Sequence, residues 1–443
     1  MIKVIKSSEF EKGCIVQKTI SSTSITSSVA MIIANIIKRG DEALREYTER
    51  FDGCSLTNFE LPKAAMEKAL ENLDPEFIKI MERAAKNIED FHRNQIPKGF
   101  DLPPKNGIIL GQKINPIERV GVYVPGGSAS YPSSVLMNCI PAKIAGVKEI
   151  IIATPPSDKC NTDCEDDICQ VDGVTCINGV DVRVIAAAKI AGVDRIFTIG
   201  GAQAIAALAY GTASIPRVDK ITGPGNAYVA EAKRQVFGIV GIDMVAGPSD
   251  ILIIADANVN PVFIAADMLS QCEHGPDSPA ILITNSKSLA DKVKKEIGTQ
   301  LKALPREEIA RKAVDDHGLI IITKSIEEAF EISNIIAPEH LEILLDEPFG
   351  YLDKVKNAGS VFLGHYTPEA IADYYAGPNH TLPTSGTSRF SSPLSVEDFT
   401  KKTSYTYYSK DALCAASEDV IRFAEEEGLR AHALSVSKRT GEK

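Results

Sequence analysis

Arg119-Val120-Gly121-Val122-Tyr123-Val124-Pro125-Gly126-Gly127 places a short, β-rich apolar run directly before a glycine turn. The same grammar repeats at 149–153, 195–199, 218–222 and 251–255, alternating with helical patterns such as 133–145 and 182–191. Continuous apolar strands need cover on both faces, which predicts a parallel sheet flanked by helices, with ligands at the C-terminal strand ends. A second set of runs at 280–284, 318–323, 341–345 and 360–363 predicts another α/β unit. The first hundred residues read mostly as helices, amphipathic at 29–51 and 64–91. Near the C-terminus, Ser417 can cap a helix that Gly428 stops, and a short helix containing His432 follows.

Bulk properties bound the function. With 443 residues, 44% hydrophobic and 24% charged, the chain is long enough for two or three domains with substantial cores. The net charge of -11, from 48 basic against 59 acidic residues, argues against a nucleic-acid or anionic-membrane surface. The first ten residues lack the apolar core of a signal peptide, and no later run is apolar enough to span a bilayer, so a cytoplasmic location is expected. Nine cysteines in such a chain are expected to be reduced thiols.

Two features carry chemistry. Asn260 can cap a helix opened by Pro261, in which Ile264, Ala265, Met268 and Leu269 recur at helical spacing and which Gly275-Pro276 ends. Gln271 and His274 then share a face at the helix C-terminus, where the partial negative charge favours a cation. Read alone, the pair fits a divalent metal or a solvated helix end. Glycine turns at 125–128, 200–203 and 223–226 each follow an expected strand. They fit either a phosphate approaching backbone N–H groups or tight turns that need positive φ. None matches G-x-G-x-x-G, and no acidic residue is placed for a ribose after the first turn.

Taken together, the motifs resemble the histidinol dehydrogenase family over nearly the whole chain. They run in order from Arg119 to Gly127 through Ile199-Gly-Gly-Ala-Gln-Ala204, Ile221-Thr-Gly-Pro-Gly-Asn226, Ala246-Gly-Pro-Ser249, Ser270-Gln-Cys-Glu-His-Gly-Pro276, Ala337-Pro-Glu-His340 and Gly377-Pro-Asn-His-Thr-Leu-Pro-Thr384. The resemblance implies oxidation of L-histidinol to L-histidine with two NAD and one zinc ion per site. The expected fold class is α/β, with two Rossmann-like α/β domains containing parallel sheets, a helical N-terminal region and a C-terminal helical dimerisation arm. The expected division is an N-terminal extension at 1–20, a discontinuous catalytic and zinc domain at 21–122 and 250–390, an NAD-binding domain at 123–249, and an arm at 391–443. That arm is expected to complete the partner subunit's site in a homodimer.

Matched motif by motif, the resemblance puts the zinc ligands on Gln271, His274, Asp373 and His432. Two imidazoles, a carboxylate and an amide oxygen form a coherent, expandable zinc shell. Asp373 is expected on a helix capped by Thr367, opened by Pro368 and ended by Gly377. Glu339 and His340 become the acid–base pair: His340 takes the alcohol proton and Glu339 activates water for the aldehyde step. NAD contacts fall on Tyr123, Gln203 and Asn226. Substrate contacts fall on Ser249, His380 and Glu427, besides Gln271, His274, His340, Asp373 and His432. Glu427 can pair with an ammonium or imidazole.

Between Ser157 and Asn178 the chain departs from the family, with Cys160, Cys164, Cys169 and Cys176 among acidic residues. No pair has the spacing of a zinc knuckle, and a reduced, solvated loop is expected. Cys272 and Cys139 are expected in the core, without a covalent role. Two rival functions remain: a related zinc/NAD dehydrogenase of another polar alcohol such as a sulfonated diol, against which Glu427 argues, and a non-catalytic metal- and nucleotide-binding protein, against which Glu339-His340 argues.

Overall fold

The computed structural model describes residues 2–10, 23–126, 130–157, 168–171 and 174–441. These fall into two compact units, Met1–Gln95 with Glu118–Phe399, and Ile96–Ile117 with Thr400–Lys443.

The first unit contains two wholly parallel sheets. In the five-stranded sheet, Arg119–Tyr123 lies between Glu149–Thr154 and Lys220–Thr222; Arg195–Thr198 and Gly241–Ile242 form the edges. In order of appearance, these strands therefore run 3-2-1-4-5 across the sheet, the doubly wound order. The six-stranded sheet repeats it: Ile251–Ala255 is flanked by Ala280–Thr284 and His340–Leu344, with Gly318–Ile322 and Ser360–Leu363 outside them. A sixth strand, Lys3–Lys6, adds to Gly318–Ile322 from the start of the chain. The expected Rossmann-like architecture is thus present twice.

Helices cover both faces as the apolar strands require. Two apolar clusters hold the six-stranded sheet, one containing Ile253, Leu282, Ile320 and Cys272, the other Leu252, Ile254, Ile283 and Phe330. Against the five-stranded sheet, helices Thr23–Arg39 and Asp41–Asp52 pack with Gly201–Tyr210 and Ala227–Val236. The amphipathic run at 29–51 is broken by Gly40, whose φ is 55°.

A buried ion pair fixes the 223–226 turn. Lys233 and Asp243 meet with almost no exposure; Lys233 Nζ also donates to the Gly223 carbonyl at 3.0 Å, and Asp243 accepts from Gly223 N at 2.8 Å. Gly223 has φ 105°, and a Cβ there would come within 2.1 Å of the Tyr123 carbonyl oxygen, so only glycine fits.

The second unit pairs Thr400–Tyr408 antiparallel with Ile108–Pro116, followed by helices Lys410–Glu426 and Arg430–Thr440. Two expectations are corrected here. The expected helical arm at 391–443 includes the nine-residue strand Thr400–Tyr408, and Ser409, not Ser417, caps the following helix by accepting from Ala412 N at 3.2 Å. Ser417 is buried in mid-helix, its hydroxyl donating to the Cys414 carbonyl. Gly428, at φ 75°, does end the helix as expected.

The cysteine-rich insertion is also different. Ile168–Val171 and Val174–Ile177 form an antiparallel hairpin, Cys169 is disulfide-bonded, and Cys176 is a buried free thiol. The expectation of a wholly reduced, solvated loop therefore fails at Cys169; Cys160 and Cys164 lie outside the described residues.

Candidate active site

The Glu339-His340 pair opens the strand His340–Leu344, so it stands at the N-terminal edge of the six-stranded sheet. The expectation of ligands at C-terminal strand ends does not hold for this pair. Helix Pro261–Cys272 carries Gln271 back to the same edge, since a helix that covers parallel strands runs against them. Its cap is as expected: Asn260 Oδ1 accepts from Val262 N at 3.1 Å. His274 lies just past the helix, in a turn where its N–H bonds the Gln271 carbonyl.

Asp373 lies on the short helix Glu369–Tyr374. Thr367 does not cap it; its hydroxyl bonds back to the Leu363 carbonyl and Pro368 occupies the cap. The helix also ends at Tyr375, before Gly377. The N-terminus is instead held from the sheet, where Glu342 Oε1 accepts from Glu369 N at 2.9 Å.

These elements converge on a carboxyl–imidazole cluster. His340, Glu369 and Asp373 bring potential donor atoms within 4.8 Å of one another, with His340 Nε2 4.0 Å from Glu369 Oε1. His340 Nδ1 lies 2.8 Å from the Asp250 carbonyl oxygen. A carbonyl can only accept, so Nδ1 carries a proton and Nε2 faces the cluster. His380 is held likewise, its Nδ1 3.1 Å from the Asp373 carbonyl. Its neighbours are tied down: Asn379 donates to Met137 O at 2.6 Å, and Thr381 accepts from Asn138 at 3.2 Å. Burial pushes the His380 imidazole down to about 4.

Glu339 is locked on both sides. Its Oε2 accepts from Ser249 Oγ at 2.7 Å and from Asp250 N at 3.0 Å, while its own N–H donates to Asp250 Oδ1 at 2.9 Å. Burial raises the Glu339 carboxyl to about 8, and burial followed by the charge of Glu339 raises Asp250 to about 7. Glu369 is pushed up to about 7, first by burial and then by Asp373; burial also raises Asp373 itself. Farther back, burial and then Asp267 hold Glu342 well above the carboxylate range.

So many buried acids, with no lysine or arginine paired to them among the described residues, make a site that favours positive charge. Gln271 adds a second sign, because it is 0% exposed and, among the described residues, neither amide atom meets a partner in good hydrogen-bond geometry, although it stands near enough to Glu369 to act on that carboxyl. A buried amide left unpaired costs about 1–3 kcal/mol, which coordination of a cation through its oxygen would offset. His274, exposed as a residue, has its imidazole lowered by the protein crowding it, with Glu369 acting in the opposite direction. Gln271, His274 and Asp373 thus fit the expected zinc shell. His432 and Glu427 belong to the second unit and are exposed there, His432 on Arg430–Thr440 and Glu427 at the end of Lys410–Glu426.

The expected NAD contacts gather at the C-terminal ends of the five-stranded sheet. Tyr123 is buried, and its hydroxyl accepts from Gly201 N at 3.1 Å; burial pushes the phenol up to about 12. Gln203 is buried in the first turn of its helix. Asn226 caps Ala227–Val236 by accepting from Tyr228 N and Val229 N through Oδ1, and the residue is exposed. The crevice between Arg119–Tyr123 and Lys220–Thr222 is the switch point of this sheet, the position where such folds bind dinucleotides.

Sequence reasoning missed Asp250, Glu342 and Glu369. Two signals were available: Glu342 interrupts the apolar strand His-Leu-Glu-Ile-Leu, and Glu369 precedes Asp373 by one helical turn.

The histidinol dehydrogenase family model matches residues 16–440. Histidinol dehydrogenase of Listeria innocua serovar 6a is 52% identical over 419 residues, covering 95% of this chain and 94% of that protein. The Streptococcus mutans serotype c enzyme is 52% identical over 415 residues, covering 94% and 92%. The crystal structure of histidinol dehydrogenase from Elizabethkingia anophelis has a TM-score of 0.89 at 36% identity, covering 99% of this chain and 98% of that one. Fold, site and relatives define an NAD-dependent oxidoreductase built on two parallel α/β sheets. The chain belongs to the histidinol dehydrogenase family, whose place is in histidine biosynthesis. No helix among the described residues is long and apolar enough to cross a membrane.

Proposed function

We propose that the chain oxidises L-histidinol through L-histidinal to L-histidine, reducing two NAD per turnover, with one zinc ion held by Gln271, His274, Asp373 and His432 of the partner subunit. The observation that carries this reading is the pinned imidazole of His340, whose free Nε2 faces the buried carboxyl cluster. Zinc, when bound, supplies a Lewis-acid template for the amino alcohol, and NAD supplies the hydride acceptor.

In the first oxidation His340 Nε2 takes the hydroxyl proton as hydride leaves the carbinol carbon. The Asp250 carbonyl stabilises the resulting imidazolium through Nδ1. In the second, Glu339 takes a proton from water as the water adds to the aldehyde carbon. His340, having released its first proton to solvent, then removes a proton from the hydrate while the second hydride departs to the second NAD, leaving the carboxylate. Ser249 and Asp250 N hold the Glu339 carboxyl in place, and its raised pKa makes it a stronger base once it is ionised, which a bound cation would favour. His380 positions Asp373 through its carbonyl. Glu427 supplies a carboxylate for the substrate ammonium or imidazole.

The five-stranded sheet, from Arg119 to Ile242, with the helices Thr23–Arg39 and Asp41–Asp52 packed against it, is the NAD-binding region of this reading. The six-stranded sheet within residues 250–390 carries its catalytic residues, so residues 21–122 do not join the catalytic part as expected. The arm at 391–443 dimerises the protein and carries His432 to the partner's site. Exposed Val420 (45%) and Phe423 (68%) support a covered surface there. The test is incubation of zinc-loaded protein with L-histidinol and NAD while NADH and histidine are measured. Two NADH per histidine are expected, and no turnover with zinc present would sink the reading.

A further inference from the structure

Asp52 occupies a position that the fold alone does not reward. It is the last residue of helix Asp41–Asp52, where the partial negative charge of the helix end disfavours a carboxylate. Burial raises its pKa to about 6, and no other cause acts on it. Among the described residues no lysine or arginine pairs with it. Its one hydrogen bond there is from Gln203 Nε2 to Oδ2, at a long 3.5 Å.

Its surroundings give it a purpose. A Cβ placed on Gly200 would lie 3.2 Å from Asp52 Oδ1 and 2.5 Å from Pro155 Cβ, so Asp52 and Pro155 both abut the bare Cα of that turn. Pro155 directly follows Glu149–Thr154, the second strand in the doubly wound order. At the end of the second strand, dinucleotide-binding folds of this order place the acidic residue that accepts from the adenosine ribose. Here proline stands there in sequence, and the carboxylate arrives from the N-terminal helices. That explains why the sequence places no acidic residue for a ribose after the first glycine turn. Tyr123 and Gln203 stand beside it: Tyr123 bonds the same turn, and the Asp52 charge acts on its phenol.

We propose that Asp52 accepts hydrogen bonds from the adenosine ribose hydroxyls of the dinucleotide and excludes a 2′-phosphate, making it the residue that selects NAD over NADP. This inference rests on the NAD-binding reading of Tyr123, Gln203 and Asn226. A ribose diol offers two donors to a carboxylate with a free oxygen, whereas a 2′-phosphate meets it with like charge and no donor.

The test uses the zinc-loaded enzyme at saturating L-histidinol, comparing wild type with Asp52→Asn, Asp52→Ala and Asn226→Ala. The measured quantities are KM and kcat for NAD and NADP, with Tm recorded for each variant. Both Asp52 variants are expected to raise KM for NAD about tenfold with kcat within about twofold, the loss of one charge-assisted hydrogen bond. The ratio of kcat/KM for NAD to that for NADP should also fall at least tenfold, which a helix-end packing role would not produce. Asp52→Asn preserves shape, so a folding defect confined to Asp52→Ala leaves the test intact. An unchanged KM and cofactor ratio in Asp52→Asn overturns the inference, as does a loss of kcat or Tm with no change in that ratio. If Asn226→Ala raises KM for NAD while the Asp52 variants do not, only the role of Asp52 fails. If none of the three changes KM, the NAD-binding reading of this region fails with it.

Discussion

Cys272 lies between two proposed metal donors, yet it turns away from both into the core that holds Ile253 and Leu282. Burial pushes its thiol up to about 12, far from the thiolate that a thiohemiacetal requires. Cys139 is equally buried and its thiol is raised further. Cys272→Ala and Cys139→Ala should each leave both oxidation steps intact, at a stability cost of about 1 kcal/mol; a stalled aldehyde or a trapped thioester in either variant would refute this. The orientation of Cys272 was legible because helical rotation is fixed by geometry. The partners of His340 were not, since Asp250 O is a main-chain atom that no side-chain pattern announces. Asp52 was hidden for a related reason: its meaning depends on a neighbour, Pro155, distant in the chain.

Three elements that carry site residues are joined through acids rather than through loops. Glu342 reaches from the strand to the first N–H of the Asp373 helix, Asp267 stands beside it on the Gln271 helix, and Ser270 approaches Glu369 at 3.4 Å. Glu342→Gln keeps an acceptor for Glu369 N and should change stability by less than about 1 kcal/mol. Glu342→Leu strands that N–H in a dry interior, so it should cost about 2–3 kcal/mol and weaken zinc retention. Equal zinc affinity in the two variants, by competition with a chelator, would show that Glu342 does not position Asp373. Periodicity found these helices and strands because apolar spacing directly reports burial. It misplaced caps at Thr367 and Ser417, since a hydroxyl near a helix start has several carbonyls it can bond instead. It also missed Thr400–Tyr408, an exposed strand whose burial pattern carries no apolar signal.

Across the whole molecule, the unbalanced acids should make stability depend on both pH and metal. Asp250 and Glu339 hold protons up to about 7 and 8 in the folded chain, while the unfolded chain releases them near 4. Their contribution is complete below about pH 4 and is lost as pH rises through the folded values. His380, lowered to about 4, acts oppositely but only below its unfolded value near 6.5. Between pH 6.5 and 8 the Tm of chelator-treated protein should therefore fall, by about 1 kcal/mol of stability per pH unit for each ionising carboxyl. Zinc-loaded protein should show a smaller fall, because a cation favours the ionised acids. A Tm that is flat or rising without metal would contradict the assignment.

A shared site makes a separate demand on the dimer. When His340→Ala and His432→Ala chains are unfolded together and refolded, each mixed dimer should contain one doubly defective site and one intact site. Random pairing then restores about one site in four. Confirmed mixed dimers without activity would mean that His432 serves its own chain.

The order of strands in the six-stranded sheet also has a consequence during synthesis. Lys3–Lys6 is made long before its strand partner among the described residues, Gly318–Ile322. At about 5–20 residues per second, the opening strand must wait roughly 15–60 s beyond the ribosome for its place in the sheet. Meanwhile all strands of the five-stranded sheet, from Arg119 to Ile242, become available without it. The nascent chain should thus assemble the five-stranded sheet before it completes the six-stranded one. During that interval the waiting strand, with its unpaired backbone edge, is the segment most in need of a chaperone.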